Sequence, residues 1–268
     1  FQKCPWIYFR TALPRLAYAE GNRVMFHQYN LLVNSYLIKM LKEISALIQK
    51  ELLIEWRQRY ALGGILLYVV ATVFICYLSF KNVIEASVWN ALFWIIILFA
   101  SINSSAKSFL QESRGRMLYY YTLSSPQAFV LSKIIYNSAL MILLSLICFG
   151  FYSLFMGNIV ENLPLFLIII GLGSIGISSL LSMMSAIASK AHNNFTIMAI
   201  LSFPIIMPIL IVVIRLSQNA IDGTDFYYNL KYFGVLFSLD IIVIALAYLL
   251  FPYLWKDCKL HSKYYFLL

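Results

Sequence analysis

Charged side chains are scarce in this sequence. Only 12% of its 268 residues are Asp, Glu, Lys or Arg and 62% are hydrophobic, whereas an ordinary soluble domain has roughly 25% charged residues. A soluble protein with so few polar groups could not cover its surface, but a lipid bilayer accepts helices that are apolar on every side. The composition therefore excludes an ordinary globular protein and predicts an all-α membrane protein.

The motifs of enzymes and of metal sites are also missing. The sequence contains no Walker A motif, no HExxH and no GxSxG, so we predict a non-catalytic chain, and any ATP would be hydrolysed by a separate subunit. Its cysteines form no CxxC pair and its histidines lie in unrelated segments, so neither a disulfide framework, a metal site nor a haem ligand is predicted. These residues are Cys4, Cys76, Cys148 and Cys258, and His27, His192 and His261.

Six apolar runs are long enough to cross a bilayer, whose hydrocarbon core of roughly 30 Å takes about 20 helical residues. An even number of crossings puts both ends of the chain on one side of the membrane. The runs lie in a predicted permease domain of residues 60–257. They are Tyr60–Phe80, Ala86–Ala106, Val130–Met156, Leu163–Ser189, Phe195–Leu216 and Tyr232–Trp255.

Lysine and arginine are concentrated in alternate connecting segments, and this bias predicts the orientation because positively charged loops stay in the cytoplasm. Both ends of the membrane domain, including a tail of residues 258–268, are therefore predicted to be cytoplasmic. The net charge of +9 reflects this topology, so no nucleic-acid partner is predicted. The cytoplasmic set is Lys42, Lys50, Arg57, Arg59, Lys107, Arg114, Arg116, Lys133, Lys190, Lys256, Lys259 and Lys263, and the opposite loops hold only Lys81, Arg215 and Lys231.

The segment ahead of the first crossing, residues 40–59, has apolar and polar residues on opposite faces, as in a helix that lies in the membrane interface. Its apolar face carries Leu41, Ile44, Leu47, Ile48 and Leu52. It leads into Glu55, Trp56, Arg57 and Arg59, which suit the headgroup region, and Glu55 can pair with Arg59 four residues on. This elbow helix is either a plain membrane anchor or a part of the transport machinery.

Residues 1–39 have no sustained hydrophobic period, and Met40 stands directly ahead of the amphipathic helix. Because the chain begins at Phe1 instead of methionine, we interpret Met40 as the natural start and the preceding segment as a non-native or disordered extension. Deleting that segment should then leave membrane insertion and activity intact.

Residues 171–176 read GLGSIG and match the GxGxxG pattern of dinucleotide sites. No strand and crossover unit surrounds them and they lie inside an apolar run, so a nucleotide site is excluded by context. Small residues recur along this crossing, and small faces let transmembrane helices approach closely. We predict a role in helix packing, with lining of a pathway as the alternative. The residues are Gly171, Ser174, Ser178, Ser182 and Ala186.

Two further features of the crossings are unusual. Pro204 and Pro208 lie in the fifth crossing, where each removes a backbone donor, so a kink or break is predicted there. Asp240 is the one acidic residue well inside an apolar run, where a charge costs about 2.5 to 3.5 kcal/mol on insertion scales. It is protonated, bonded to a neighbouring helix or facing a wet cavity, and the sequence does not choose among these.

The cytoplasmic loop after the second crossing, residues 107–133, is long and holds a charged segment, a run of tyrosines and a Ser-Pro pair. Ser125 and Pro126 are typical of a helix start, with serine as N-cap and proline at the first helical position. The loop either presents a short helix to a soluble partner or is a solvated connector whose tyrosines lie in the interface.

Four segments together carry a resemblance to a known family. They are KELLIEWRQRYALGGILLYVV at 50–70, ESRGRMLYYYTLSSP at 112–126, GLGSIGISSLLSMMSAIA at 171–188 and FPIIMPILI at 203–211. They resemble the CcmB family, the permeases of the cytochrome c maturation system, within the wider class of type-2 ABC permeases. The resemblance spans roughly residues 41–257 and implies six transmembrane helices.

The resemblance also implies a place in the cell and a set of partners. Members of the family lie among the lipids of the bacterial cytoplasmic membrane, pair with the ATPase CcmA and work beside CcmC and CcmD. The assembly uses ATP to release the haem-loaded chaperone CcmE, so that haem reaches apocytochrome c. ATP would then be bound by the partner subunit, and haem would be a cargo of the complex instead of a cofactor of this chain.

Carried over by position, the resemblance implies a contact with the ATPase in the long cytoplasmic loop. The candidate residues are Glu112, Arg114, Gly115, Leu123, Ser125 and Pro126. Two other functions stay open at this point: a type-2 ABC permease that exports lipid, polysaccharide or a drug, and a membrane scaffold that holds haem-handling proteins without any ATPase. A secondary transporter is a third, with Asp240 as its one candidate ion carrier.

Overall fold

The structure, a computed structural model, describes residues 22–57, 59–80, 85–110, 124–190 and 195–265. Within these ranges the chain forms seven helices and no strand, which confirms the all-helical prediction. The helices are α1 (Asn22–Arg57), α2 (Arg59–Ser79), α3 (Ala86–Leu110), α4 (Pro126–Met156), α5 (Leu163–Lys190), α6 (Phe195–Ile221) and α7 (Phe226–Tyr265).

Five of the described helices, α3 to α7, are long and apolar enough to cross a membrane. They correspond to the second to sixth predicted crossings, and the multi-pass character of the chain is confirmed. The first predicted crossing lies on α2, which counts as a shorter apolar helix over Gly63–Ser79. That crossing, the orientation and the interfacial position of α1 stay predictions.

Helix α5 lies at the centre of the bundle. It packs against α3, α4, α6 and α7, and 72% of its apolar segment is buried, against 28% for α4 and for α7. Two of its glycines explain the close approach of its neighbours. A Cβ added at Gly173 would lie 2.9 Å from the ring of Trp94 on α3, and one added at Gly176 would collide with Asp240 on α7. Small residues in α5 therefore decide how closely the surrounding helices can pack.

The outer helices turn large apolar side chains away from the core. Leu67, Leu154 and Ile211 are 71%, 75% and 65% exposed, which water would oppose but lipid tails accept. The core contains a stacked aromatic group in which Trp89 and Phe93 lie 5.9 Å apart. Apolar residues thus occur both inside and outside the bundle, as the sequence composition requires.

The start of α4 is as the sequence predicts. Ser125 is the N-cap, with extended backbone angles, and its hydroxyl accepts a hydrogen bond from the backbone N–H of Ala128, while Pro126 is the first helical residue. The helix ends at Gly157, whose φ of 81° is a conformation that glycine adopts without strain. The predicted long loop is shortened at both ends, because α3 continues to Leu110 and α4 already begins at Pro126.

Helices α1 and α6 differ from what the sequence pattern suggests. Helix α1 begins at Asn22, so residues 22–39, for which the sequence shows no sustained period, are helical. Helix α6 is continuous through Pro204 and Pro208, so the chain does not break there, and the predicted kink stays a prediction. Both proline rings lie on the exposed side of α6, where the missing backbone donors leave the carbonyls of Ile200 and Pro204 without their usual partners.

Candidate functional site

A buried ion pair joins α1 to α4. The ammonium of Lys133 lies 2.9 Å from Oε1 of Glu51, and only 1% of the Lys133 side chain is exposed. Lys50 contacts the same oxygen at 2.8 Å and is 22% exposed. One turn before Lys133, the ring of Phe129 lies 5.9 Å from its ammonium. A carboxylate and an aromatic ring therefore enclose a lysine that stands two turns after the start of α4.

A second contact runs beside this pair, one turn further along both helices. The side chain of Tyr136 on α4 lies near the carboxylates of Glu55 and Glu51 on α1. Glu51 and Glu55 lie on the same side of α1 as Ile44, which is buried, because these positions follow the helical period. This side of α1 faces the bundle, whereas Leu52 and Trp56 are 55% and 74% exposed.

The charge state of Glu51 follows from two opposing effects. Burial acts to raise the pKa of its carboxyl, but the positive charges and hydrogen bonds of Lys133 and Lys50 together outweigh burial and hold this pKa below its ordinary value. Glu51 is therefore ionised at neutral pH, and the contact between α1 and α4 is a true ion pair.

Most of the residues predicted to contact the ATPase lie outside the described part of the chain. These are Glu112, Arg114, Gly115 and Leu123. Ser125 and Pro126 are described, and they form the first turn of α4. Of the predicted interfacial group, Glu55 lies near Tyr136, and Trp56 and Arg57 are exposed. The side chain of Arg59 is not among the described ones, so its pairing with Glu55 stays a prediction.

The small-residue stripe of α5 faces α4 through two hydrogen bonds. The amide of Asn137 donates to the hydroxyl of Ser182 at 2.8 Å, and the hydroxyls of Ser145 and Ser174 are also 2.8 Å apart. The helices run antiparallel, and the register that these bonds set places the thioether side chain of Met141 level with Ser178. The Ser178 hydroxyl, which is fully buried, has no hydrogen-bond partner within the described structure.

The remaining two stripe residues behave differently from each other. Ala186 is buried, at 3% exposure, and the same register places it level with Lys133. At Gly171, in contrast, an added Cβ would meet nothing within 4 Å. Close approach on this helix therefore depends on Gly173 and Gly176, which the GxGxxG pattern contains but to which the sequence assigns no role.

Asp240 lies against α5 and is 4% exposed. Its Oδ1 occupies the space that a side chain at Gly176 would need. Neither carboxylate oxygen has a hydrogen-bond partner among the described residues. Of the three states left open for this residue, the described part of the structure therefore offers neither a bond to a neighbouring helix nor exposure to a cavity.

A polar network fastens α3 to α6 near the other end of the bundle. The hydroxyl of Ser217 donates to Oδ1 of Asn90 at 2.7 Å and accepts from the indole N–H of Trp94 at 2.9 Å. The amide of Asn90 also donates to the backbone carbonyl of Ile214 at 2.8 Å. These buried groups satisfy one another, so the network is a structural contact between two helices.

Sequence patterns did not identify the pairs Glu51 with Lys133 and Asn137 with Ser182. A signal for the first pair was present in the sequence. Glu51 interrupts the apolar face of an amphipathic helix, and Lys133 lies two turns inside an apolar helix. Both positions are exceptions to the pattern around them, and a buried charge requires a partner. Among the described residues, no group of three or more His, Cys, Asp or Glu side chains could hold a metal ion.

The helical bundle, with apolar side chains outside and paired polar groups between its helices, defines a multi-pass membrane protein. The family model described as CcmB protein matches residues 42–253. The chain therefore belongs to the CcmB family, whose members are ABC-type permeases associated with cytochrome c biogenesis. No curated protein matches the chain.

Proposed function

We propose that this chain is the membrane subunit of an ABC transporter complex that serves cytochrome c maturation in the bacterial cytoplasmic membrane. The observation that carries this proposal is the family match, which extends over residues 42–253 and so takes in the end of α1 and nearly all of the helices that follow. ATP is hydrolysed by a separate CcmA-like subunit, since the sequence has no Walker A motif. CcmC-like and CcmD-like membrane proteins and a CcmE-like haem chaperone complete the assembly, with haem as its cargo.

In this proposal the start of α4 faces the cytoplasm and the loop before it receives the ATPase. The lysine and arginine bias supports that orientation. A force on the loop acts directly on α4, because Ser125 caps this helix and Pro126 begins it. The Glu51–Lys133 pair then makes α1 move with α4, and the Asn137–Ser182 and Ser145–Ser174 bonds transmit the movement to the central helix α5.

The proposal is tested by deleting the gene and measuring covalently haem-bound cytochrome c together with the haem-loaded chaperone. We expect loss of the cytochrome and accumulation of the loaded chaperone, with both restored by the wild-type gene. Normal cytochrome c without accumulation would contradict a role in maturation. It would leave room for export of a lipid, polysaccharide or drug.

Co-purification separates an ATP-driven permease from a passive scaffold. A Walker-type ATPase should co-purify with the tagged wild-type chain, and Glu112→Lys or Gly115→Trp should weaken this association. Asp222→Lys, which changes a charge in a loop predicted to lie on the opposite side, is the matched control and should retain the ATPase. Absence of any ATPase from the wild-type complex would favour the scaffold instead.

A further inference from the structure

The carboxyl group of Asp240 lies at the middle of the membrane-spanning helices. Asp240 is near the midpoint of the apolar segment Phe226–Tyr253. A Cβ added at Gly176 on α5 would collide with this carboxyl and would lie 3.5 Å from Ile209 on α6, and both residues are likewise near the midpoints of their own segments. A position at mid-depth in three helices at once is far from both membrane surfaces, where water could solvate a charge.

Within the described part of the chain, the surroundings of this carboxyl offer no group that would stabilise a negative charge. Asp240 is 4% exposed, and neither of its oxygens meets a hydrogen-bond donor in the described part of the chain. Burying an ion without compensation costs several kcal/mol even after relaxation, whereas a neutral polar group without a partner costs roughly 1 to 3 kcal/mol. The neutral acid is therefore the stable form in this conformation.

Among the described side chains of the helices packed against α7, no cation is close enough to change this balance. Helix α5 carries no titratable side chain between Leu163 and Ser189. On α6 the one charged residue is Arg215, whose guanidinium lies over the ring of Tyr232, about 12 Å along α7 from Asp240 at the helical rise of 1.5 Å per residue.

The titratable groups of α4 are engaged elsewhere. Lys133 is paired with Glu51, and the neighbouring Phe129 stacks on Phe251, about 16 Å along α7 from Asp240 at the same helical rise. Tyr136 lies near the carboxylates of α1, Tyr152 donates to the backbone carbonyl of Trp89, and Cys148 is a buried part of the apolar core.

We propose that Asp240 is a proton-binding site at the centre of the membrane, loaded when α7 is docked against Gly176 and emptied when α7 moves away from it. One O–H bond forms on loading, and the proton comes from water and returns to water, so no electron is transferred. A buried carboxyl without partners lowers the stability of the docked state. A second conformation in which the ionised carboxyl is solvated would explain why such a group is present. Rearrangement of the permease would thus carry a proton in and out of the bundle.

Infrared spectroscopy of the complete complex in native membranes tests the site directly. A protonated carboxyl has a carbonyl stretch that is separate from the bands of carboxylates and amides, and it shifts in heavy water. We expect such a band from the resting wild-type complex and its loss in Asp240→Asn. That variant is isosteric and mimics the neutral acid, so it should fold normally. Identical wild-type and variant spectra in this region would overturn the proposal.

The role of docking is tested by a matched pair of substitutions on α5. Gly176→Ala places a Cβ against the carboxyl of Asp240, whereas Gly171→Ala, more than one turn earlier, meets nothing within 4 Å. The band should shift or weaken in Gly176→Ala and stay unchanged in Gly171→Ala. Equal bands in the two variants would contradict the contact. The comparison of wild type with Asp240→Asn remains decisive if Gly176→Ala does not fold.

Whether proton binding at Asp240 is linked to transport needs a separate measurement, which rests on the proposed function. Trapping the ATPase subunits with ATP and vanadate should remove most of the Asp240 band. A band that is present at rest and unchanged on trapping would overturn the link between proton binding and rearrangement. The resting band does not require an ATPase, so failure of the proposed function and failure of the proton site give different results.

Discussion

Replacing Lys133 with methionine tests how α1 is held to α4. Methionine keeps the length and apolar character of the stem but removes the ammonium that lies 2.9 Å from Glu51. The carboxylate of Glu51 would then stay buried with Lys50 alone, which approaches the same oxygen at 2.8 Å from a more exposed position. The substitution therefore removes the buried one of the two ammonium groups that contact Glu51.

The expected loss follows from what each variant leaves behind. Lys133→Met should cost about 2 kcal/mol, less than the 3 to 5 kcal/mol typical of breaking a buried pair, because Lys50 remains. Glu51→Gln should cost about 3 kcal/mol, since it withdraws the carboxylate from an ammonium that is 1% exposed. Removing both charges together should cost only about 2 kcal/mol, because no buried ion is then left uncompensated.

Equilibrium unfolding of the purified protein in mixed detergent micelles measures these differences. Lys50→Met is the matched control and should cost about 1 kcal/mol or less, as for ion pairs near the surface. The decisive result is the double variant. If its loss equals the sum of the two single losses, the two residues do not interact and the buried pair does not hold α1 to α4.

Three other changes test separate parts of the structure. Because the pKa of Glu51 is lowered in the folded protein, its stabilising effect is complete above the ordinary pKa of 4.5 and disappears as pH falls through the lower folded pKa. The unfolding midpoint of wild type should therefore fall more steeply below pH 4.5 than that of Glu51→Gln. Gly173→Ala places a Cβ 2.9 Å from the Trp94 ring and should cost about 1 to 3 kcal/mol by overpacking, while Gly171→Ala should unfold like wild type; equal midpoints in a thermal melt would contradict the close approach. Ser125→Ala removes the cap of α4 and should cost about 1 kcal/mol, Ser125→Asp should restore it, and a melt in which both match wild type would show that the cap does not stabilise the helix.

The spanning helices α3 to α7 could be predicted from the sequence because solvation by lipid acts on each segment by itself. A run such as Leu163–Ser189 must be helical in a bilayer whatever lies beside it, since its backbone groups have no other partners there. The cap at Ser125 and Pro126 was equally predictable, because both residues act on the turn that follows them. Local rules therefore sufficed for these elements.

The contacts between helices required information that no single segment contains. Glu51 and Lys133 are far apart in the sequence, and only the packed bundle shows that each is the other's partner. The sequence identified Asp240 as a charge in an apolar run, but the absence of a donor around it among the described residues is a property of three neighbouring helices. The sequence places Gly176 in a nucleotide-site pattern that its context excludes and gives it no other role, although its missing side chain makes room for the carboxyl of Asp240.

The two hydrogen bonds between α4 and α5 have a consequence for how these helices can move. Apolar surfaces slide past each other with small changes in energy at each step, but the bonds of Asn137 and Ser145 to serines of α5 are either made or lost. A displacement of an ångström or two would break both and leave buried polar groups without partners. These two hydrogen bonds therefore favour discrete relative positions of α4 and α5 over gradual sliding, as a transition between two conformations requires.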